Sequence, residues 1–142
     1  MPTLQFSYIG RFFSFILSWW PTAIVLIAIL WLTLAPDPVG DTHIELFPGA
    51  DKLIHAIMMG GLASAAMFDY RRNRGRKPYR PLSAIPLIII FICTAVFSGL
   101  DEIAQGAMHL GRSSDPLDFL ADIVGIIIAI FCARPVLNKI FP

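Results

Sequence analysis

Charge is scarce in this 142-residue chain: 15% of positions are charged and 56% are apolar, where soluble domains carry about a quarter charged residues. A soluble fold of this length must cover a large surface with polar groups that the sequence does not have, so the expected solvent is lipid. Cysteine is also sparse. Cys93 and Cys132 fall in apolar stretches and read as small buried hydrophobes at different depths, with no CxxC pattern and no expected disulfide. No HExxH, GxSxG or P-loop is present, which excludes the common soluble catalytic signatures. Neither an internal repeat nor a low-complexity segment is visible, so one helical bundle is the economical architecture. No metal or cofactor is expected, since two carboxylates such as Asp118 and Asp122 make a weak cation site alone.

What is present is a set of long apolar runs. Four stretches, residues 18–35, 53–68, 82–100 and 119–133, approach the roughly 20 residues needed to cross a bilayer as helix. The expected fold is therefore all-α, a polytopic membrane bundle of four transmembrane helices forming a single domain over residues 1–142. The first run competes with a cleaved signal peptide because Arg11 precedes it. Its length, the lack of an A-x-A site and Pro36 favour a retained anchor. Phe6, Tyr8, Phe12, Phe13 and Phe15 around Arg11 make residues 1–17 an expected interfacial lead-in, and Trp19, Trp20 and Trp31 suit an aromatic belt.

The charges separate by side. Arg71, Arg72, Arg74, Arg76, Lys77 and Arg80 fill the link between the second and third runs, which places that link in the cytoplasm. Arg11, Arg134 and Lys139 join them, and both termini are then cytoplasmic. On this topology nine basic residues against Asp69 give +8 inside, and Lys52 and Arg112 against nine acids give −7 outside, together the net +1. The basic run reads as a topology signal resting on anionic lipid, not as a nucleic-acid or kinase-docking site.

Orientation does not require the acids, and they recur at helical spacing. At 100° per residue Asp101, Glu102, Gln105 and His109 share an arc of roughly 100°, and Asp115, Asp118, Asp122 and Gly125 share one of roughly 80°. Asp51 and His55 lie four apart on the second run and share a face. Acids on membrane helices face a bundle interior or a water-filled cavity. Several members also have plain structural readings. Asp115 before Pro116 is an N-cap pattern, Asp51 and Lys52 suit an interfacial helix start, His55 suits an interhelical hydrogen bond, His109 suits a loop, and Gly60 and Gly61 suit a close helix contact. Glu102 is harder to reduce to structure, because an acid at a membrane helix centre costs about 2.5–3.5 kcal/mol on a translocon scale. Arg112 is the strong cation expected to offset it, by a fork-like pairing with Glu102 or Asp118. A satisfied structural ion-pair network and a functional polar pocket both remain open at this point.

The stretch DEIAQGAMHLGRSSDPLDFLADIVG resembles the signature of the VanZ-like family, small bacterial membrane proteins named for a teicoplanin-resistance protein. Glu102 and Gln105, Arg112, Asp118 and Asp122, and Gly125 match its motifs in order, and Asp51, Lys52 and His55 match an earlier Asp-Lys-x-x-His; Trp31 and Pro36 are a weaker likeness. Ala104 departs from members that place His there, which removes a His-dependent step at that position. The resemblance implies a multi-pass protein of the bacterial cytoplasmic membrane, in some members reducing teicoplanin susceptibility.

The first expectation is an envelope protein whose outward polar pocket, lined by Lys52, His55, Glu102, Gln105, Arg112, Asp118 and Asp122, binds a membrane lipid head group, a lipid-linked wall precursor or a glycopeptide. The second is an intramembrane enzyme on a lipid-linked substrate, with Glu102 as general acid or base, Asp118 as its ionised companion and Arg112 as clamp. An ion-coupled transporter is the third, although transport sites lie nearer the midplane than these acids.

Overall fold

The computed structural model describes residues 14, 17–35, 48–74, 82–108 and 115–141. Within them four helices follow the four apolar runs: α1 (Trp20–Leu34), α2 (Ala50–Asn73), α3 (Ala84–Met108) and α4 (Pro116–Ile140). The last three are long and apolar enough to cross a membrane, whereas α1 is a shorter apolar helix of 15 residues, spanning about 22 Å at 1.5 Å per residue. The expected lead-in segment lies almost entirely outside the described residues.

Three helices run past the bounds expected from hydropathy, for local reasons. α2 starts at Ala50, where Gly49 takes a left-handed φ of 86° as its N-cap without the steric penalty a Cβ brings. Asp51, Lys52 and His55 are thereby helical. α3 continues from Leu100 to Met108, because the polar residues that end its apolar run are buried against neighbours. α4 starts at Pro116 and runs through an exposed Pro135 to Ile140.

The burial pattern is that of a protein solvated by lipid. Thr33, His55, Asp69, Ser98, Asp101 and Asp122 are buried, while Ile27, Trp31, Ile57, Ile85 and Phe131 are more than half exposed. In water such a surface is an association hazard; in hydrocarbon it is the matched one. Cys93 and Cys132 are free thiols on this outer surface, contrary to the expectation of burial. Lipid tails solvate a small thiol as well as a core does, so nothing drives it inward.

Helices α2 and α4 run parallel and form the most extensive pair. They meet at Gly125, where a Cβ would lie 2.1 Å from the Ala56 carbonyl oxygen, and at Gly60, where one would lie 2.9 Å from the Gly125 oxygen. Gly60 thus makes the expected close contact, but Gly61 does not: it faces open space on the outer side of α2. Met59, Ala63, Met67 and Ile126 fill the apolar core below this crossing.

The end of the bundle that carries the C-termini of α2 and α4 is tied by its basic residues. Arg72 pairs with buried Asp69 at 2.8 Å, stacks over the Trp20 and Phe68 rings and donates to the Ser18 carbonyl. Arg71 donates to the Phe141 carbonyl at the end of α4, and Asn138 accepts from the Leu82 N–H at 3.2 Å. These arginines are occupied by the chain's own groups. Arg76, Lys77, Tyr79 and Arg80 lie outside the described residues.

Candidate functional site

The opposite end of the bundle gathers the start of α2, the last two turns of α3 and the start of α4. Asp115 caps α4 as its sequence pattern predicts: its backbone is extended and its side chain accepts from the Leu117 N–H at 2.9 Å. The same carboxylate receives Lys52 Nζ at 2.9 Å, and Lys52 also reaches Asp118 at 2.9 Å. First the Leu117 bond and then the Lys52 ammonium hold the Asp115 carboxyl below the usual carboxylate range. A depressed value means that its stabilising contribution is present above the ordinary carboxylate pKa and is lost as pH falls through the lowered one. Asp115→Asn keeps a capping acceptor and loses only an exposed ion pair, of the kind that contributes little. Asp115→Ala loses both. The alanine variant is expected to melt lower than the asparagine one in detergent, and both should show a shallower loss of melting temperature in acid than the wild type.

Among the described residues Lys52 is the cation that reaches Asp118. Arg112, expected in that role, lies outside the described residues, as does His109. Lys52 sits three residues before His55 and shares its helix face, so one turn of α2 supplies both a cation to α4 and an imidazole to the interior.

One turn deeper a second cluster forms around His55. Its Nδ1 lies 3.4 Å from Asp122 Oδ1 on α4 and 3.6 Å from Glu102 Oε1 on α3. All three residues are more than nine-tenths buried, and none of these three atoms makes a hydrogen bond. Their other carboxylate oxygens are held: Ser98 Oγ donates to Asp122 Oδ2 at 2.7 Å, and the Asp115 N–H reaches Glu102 Oε2 at 3.3 Å. Gln105 points elsewhere, donating to Asp101 Oδ2 at 3.0 Å, and Thr33 of α1 donates to Asp101 Oδ1 at 2.9 Å. Asp101 and Gln105 so form a separate buried network joining α3 to α1.

The geometry thus separates the sequence-derived set into three groups: Lys52 with Asp115 and Asp118, His55 with Glu102 and Asp122, and Gln105 with Asp101. Asp118 holds Lys52 at 2.9 Å and Glu102 faces His55 at 3.6 Å. The profile of the VanZ/LLP1 family matches residues 4–138, nearly the whole chain. The chain belongs to the VanZ/LLP1 family. No curated protein and no solved structure matches it significantly. This VanZ/LLP1 protein is a multi-pass membrane protein by the length and composition of its helices.

Sequence reasoning missed Ser98 and Thr33 as partners in the VanZ/LLP1 site. A signal for Ser98 was there. Thr94, Ser98, Asp101 and Gln105 recur every three or four residues on α3 and are all buried, a polar stripe in an otherwise apolar helix. Thr33 had no such signal, since its role depends on how α1 crosses α3.

Proposed function

We propose that this VanZ/LLP1 protein resides in the bacterial cytoplasmic membrane with both termini in the cytoplasm, and that its polar end faces outward as a binding pocket. Its ligand is the head group of a membrane lipid or lipid-linked wall precursor, or a glycopeptide, and occupancy alters glycopeptide access. The observation that carries the reading is the set of buried, unsatisfied polar atoms on His55, Glu102 and Asp122 beside the Lys52 ion pairs. Three helices bring these groups to one depth, at a cost in hydrocarbon that a purely structural bundle avoids. The orientation rests on Arg71, Arg72 and Arg74 at the opposite end.

The test compares cells without the protein, with it, and with Glu102→Gln at equal membrane level, profiling envelope lipids, wall precursors and teicoplanin susceptibility. The wild type is expected to shift at least one of these and Glu102→Gln to lose most of the shift. An undiminished effect of the variant sinks the reading.

A second reading, an intramembrane enzyme acting on a lipid-linked substrate, is favoured by the imidazole 3.6 Å from Glu102. A buried carboxyl and an imidazole can relay a proton once substrate draws them to about 2.6–3.2 Å, and such catalytic contacts are often longer without substrate. In this version His55, not Asp118, is the companion of Glu102. Turnover of a lipid-linked substrate by the purified protein, lost in Glu102→Gln, supports it; no turnover with any envelope lipid counts against it.

A further inference from the structure

Three buried atoms on three helices are each without a hydrogen bond: Nδ1 of His55, Oε1 of Glu102 and Oδ1 of Asp122; the three residues bring one ligand atom apiece within 4.8 Å of one another. A protonated imidazole donating to either carboxylate would draw that oxygen to about 2.7–3.2 Å. At 3.4 and 3.6 Å neither bond is made. Those separations are close to the spacing of ligands that share an ion: with bonds of about 2.1 Å, neighbouring ligand atoms lie about 3.4 Å apart at the tetrahedral angle, which the Asp122 contact meets and the Glu102 contact slightly exceeds.

We propose that His55 Nδ1, Glu102 Oε1 and Asp122 Oδ1 form a binding site for a first-row divalent cation of the Zn2+ or Mn2+ class. One imidazole and two carboxylates are borderline to hard ligands, suited to these ions and lacking the thiolates that select softer ones. Two carboxylate charges balance a divalent ion, which removes the cost of burying two acids beside a neutral imidazole. Ligation through Nδ1 places the imidazole proton on Nε2. The outer shell is also in place, because Ser98 fixes the far oxygen of Asp122 and the Asp115 N–H that of Glu102; such partners orient ligands and raise affinity. Asp51, His55 and Asp118 make an alternative triad by distance. Asp51 is exposed and Asp118 already holds Lys52, so the inner set is the better one. With three protein ligands the ion keeps an open position, which a water or a phosphate or carboxylate oxygen of a head group can fill.

The inference deepens the pocket reading and uses the same residues, but a titration with metal alone needs no head group, so either can fail without the other. The full chain in detergent, stripped with chelator, is titrated with Zn2+ and with Mn2+ by calorimetry, and its metal content is measured after gel filtration. One ion per chain is expected. Affinity should fall at least about 10-fold in Asp122→Asn and His55→Gln and about 10-fold to 100-fold in Ser98→Ala, and Asp51→Asn should bind as the wild type does. Because changes in a buried cluster can also unfold the chain, pulsed EPR on the Cu2+-loaded wild type gives an independent readout, with coupling to one imidazole nitrogen expected. Absence of stoichiometric binding, binding untouched in a folded Asp122→Asn, loss in Asp51→Asn, or no imidazole coupling each overturns the proposal.

Discussion

Gly125→Val is expected to prevent α2 and α4 from packing, so that the variant fails to give a folded monodisperse peak in detergent. The reason is the identity of the atoms in the way. A Cβ at Gly125 would lie 2.1 Å from the Ala56 carbonyl oxygen and 2.7 Å from both the carbonyl carbon and the Cα of Ala56. Backbone atoms have no alternative rotamer, so relief requires the two helices to move apart. Overpacking in cores costs about 1–3 kcal/mol when side chains can shift, and occasionally more; here they cannot, and the upper end or beyond is expected. Separation would also open the site, since His55 immediately precedes Ala56 and Asp122 lies one turn before Gly125. Even Gly125→Ala should lower the melting temperature markedly. The contrasting change is Gly61→Ala: nothing lies within 4 Å of its added methyl, and replacing Gly in a helix interior is worth about 1 kcal/mol in propensity. A melting temperature equal to or above the wild type is expected there. If both alanine variants melt alike, the close approach at Gly125 is wrong.

The second large effect is expected at the other end, where Asp69→Ala should destabilise the chain by roughly 3 kcal/mol. Asp69 has no exposed surface and accepts from both the backbone N–H and the hydroxyl of Thr22, at 2.9 and 2.6 Å, besides its pairing with Arg72 at 2.8 Å. Thr22 lies in the first turn of α1, whose amides have no partner within the helix; a carboxylate on a neighbouring helix completes them and pins α1 to α2. Removing one partner of a buried charge pair costs about 3–5 kcal/mol. Arg72 keeps 28% of its side chain exposed, so solvent recovers part of that loss and the lower end applies. Asp69→Asn retains an acceptor for Thr22 and should lose less. Thermal unfolding in detergent, with protease cleavage between α1 and α2, separates a general loss from release of α1. Equal stability of wild type and alanine variant would remove Asp69 from the account of how α1 is held.

Much of the candidate site was legible in the residue order because a helix converts spacing into a face. Asp101 and Glu102, four and three residues before Gln105, are buried with it, and so are Asp118, Asp122 and Gly125. The Asp115-Pro116 pair marked the α4 cap correctly, since an N-cap depends on local backbone and side-chain chemistry alone. Hydropathy was less exact about ends. It measures transfer of side chains into lipid and stops at the first polar cluster, whereas a helix stops only where its backbone bonding does.

The pairing of those faces was beyond the sequence. Arg112, expected to offset the acids, lies outside the described residues; Lys52 holds Asp115 and Asp118 because α2 and α4 lie parallel, with their first turns side by side. The same packing sets His55 between Glu102 and Asp122, Thr33 on Asp101 and Ser98 on Asp122.

By itself the sequence determined the solvent, the helical class, the faces and the end at which polar groups collect, all consequences of composition and a 3.6-residue period. The deficit of charge, with its remaining members segregated, already required lipid around the bundle and polarity inside it. Only the tertiary structure decided which face meets which. That choice rests on the approach of Gly125 to the Ala56 backbone and on the pinning of α1 by Asp69, contacts between residues far apart in the chain that no local rule encodes.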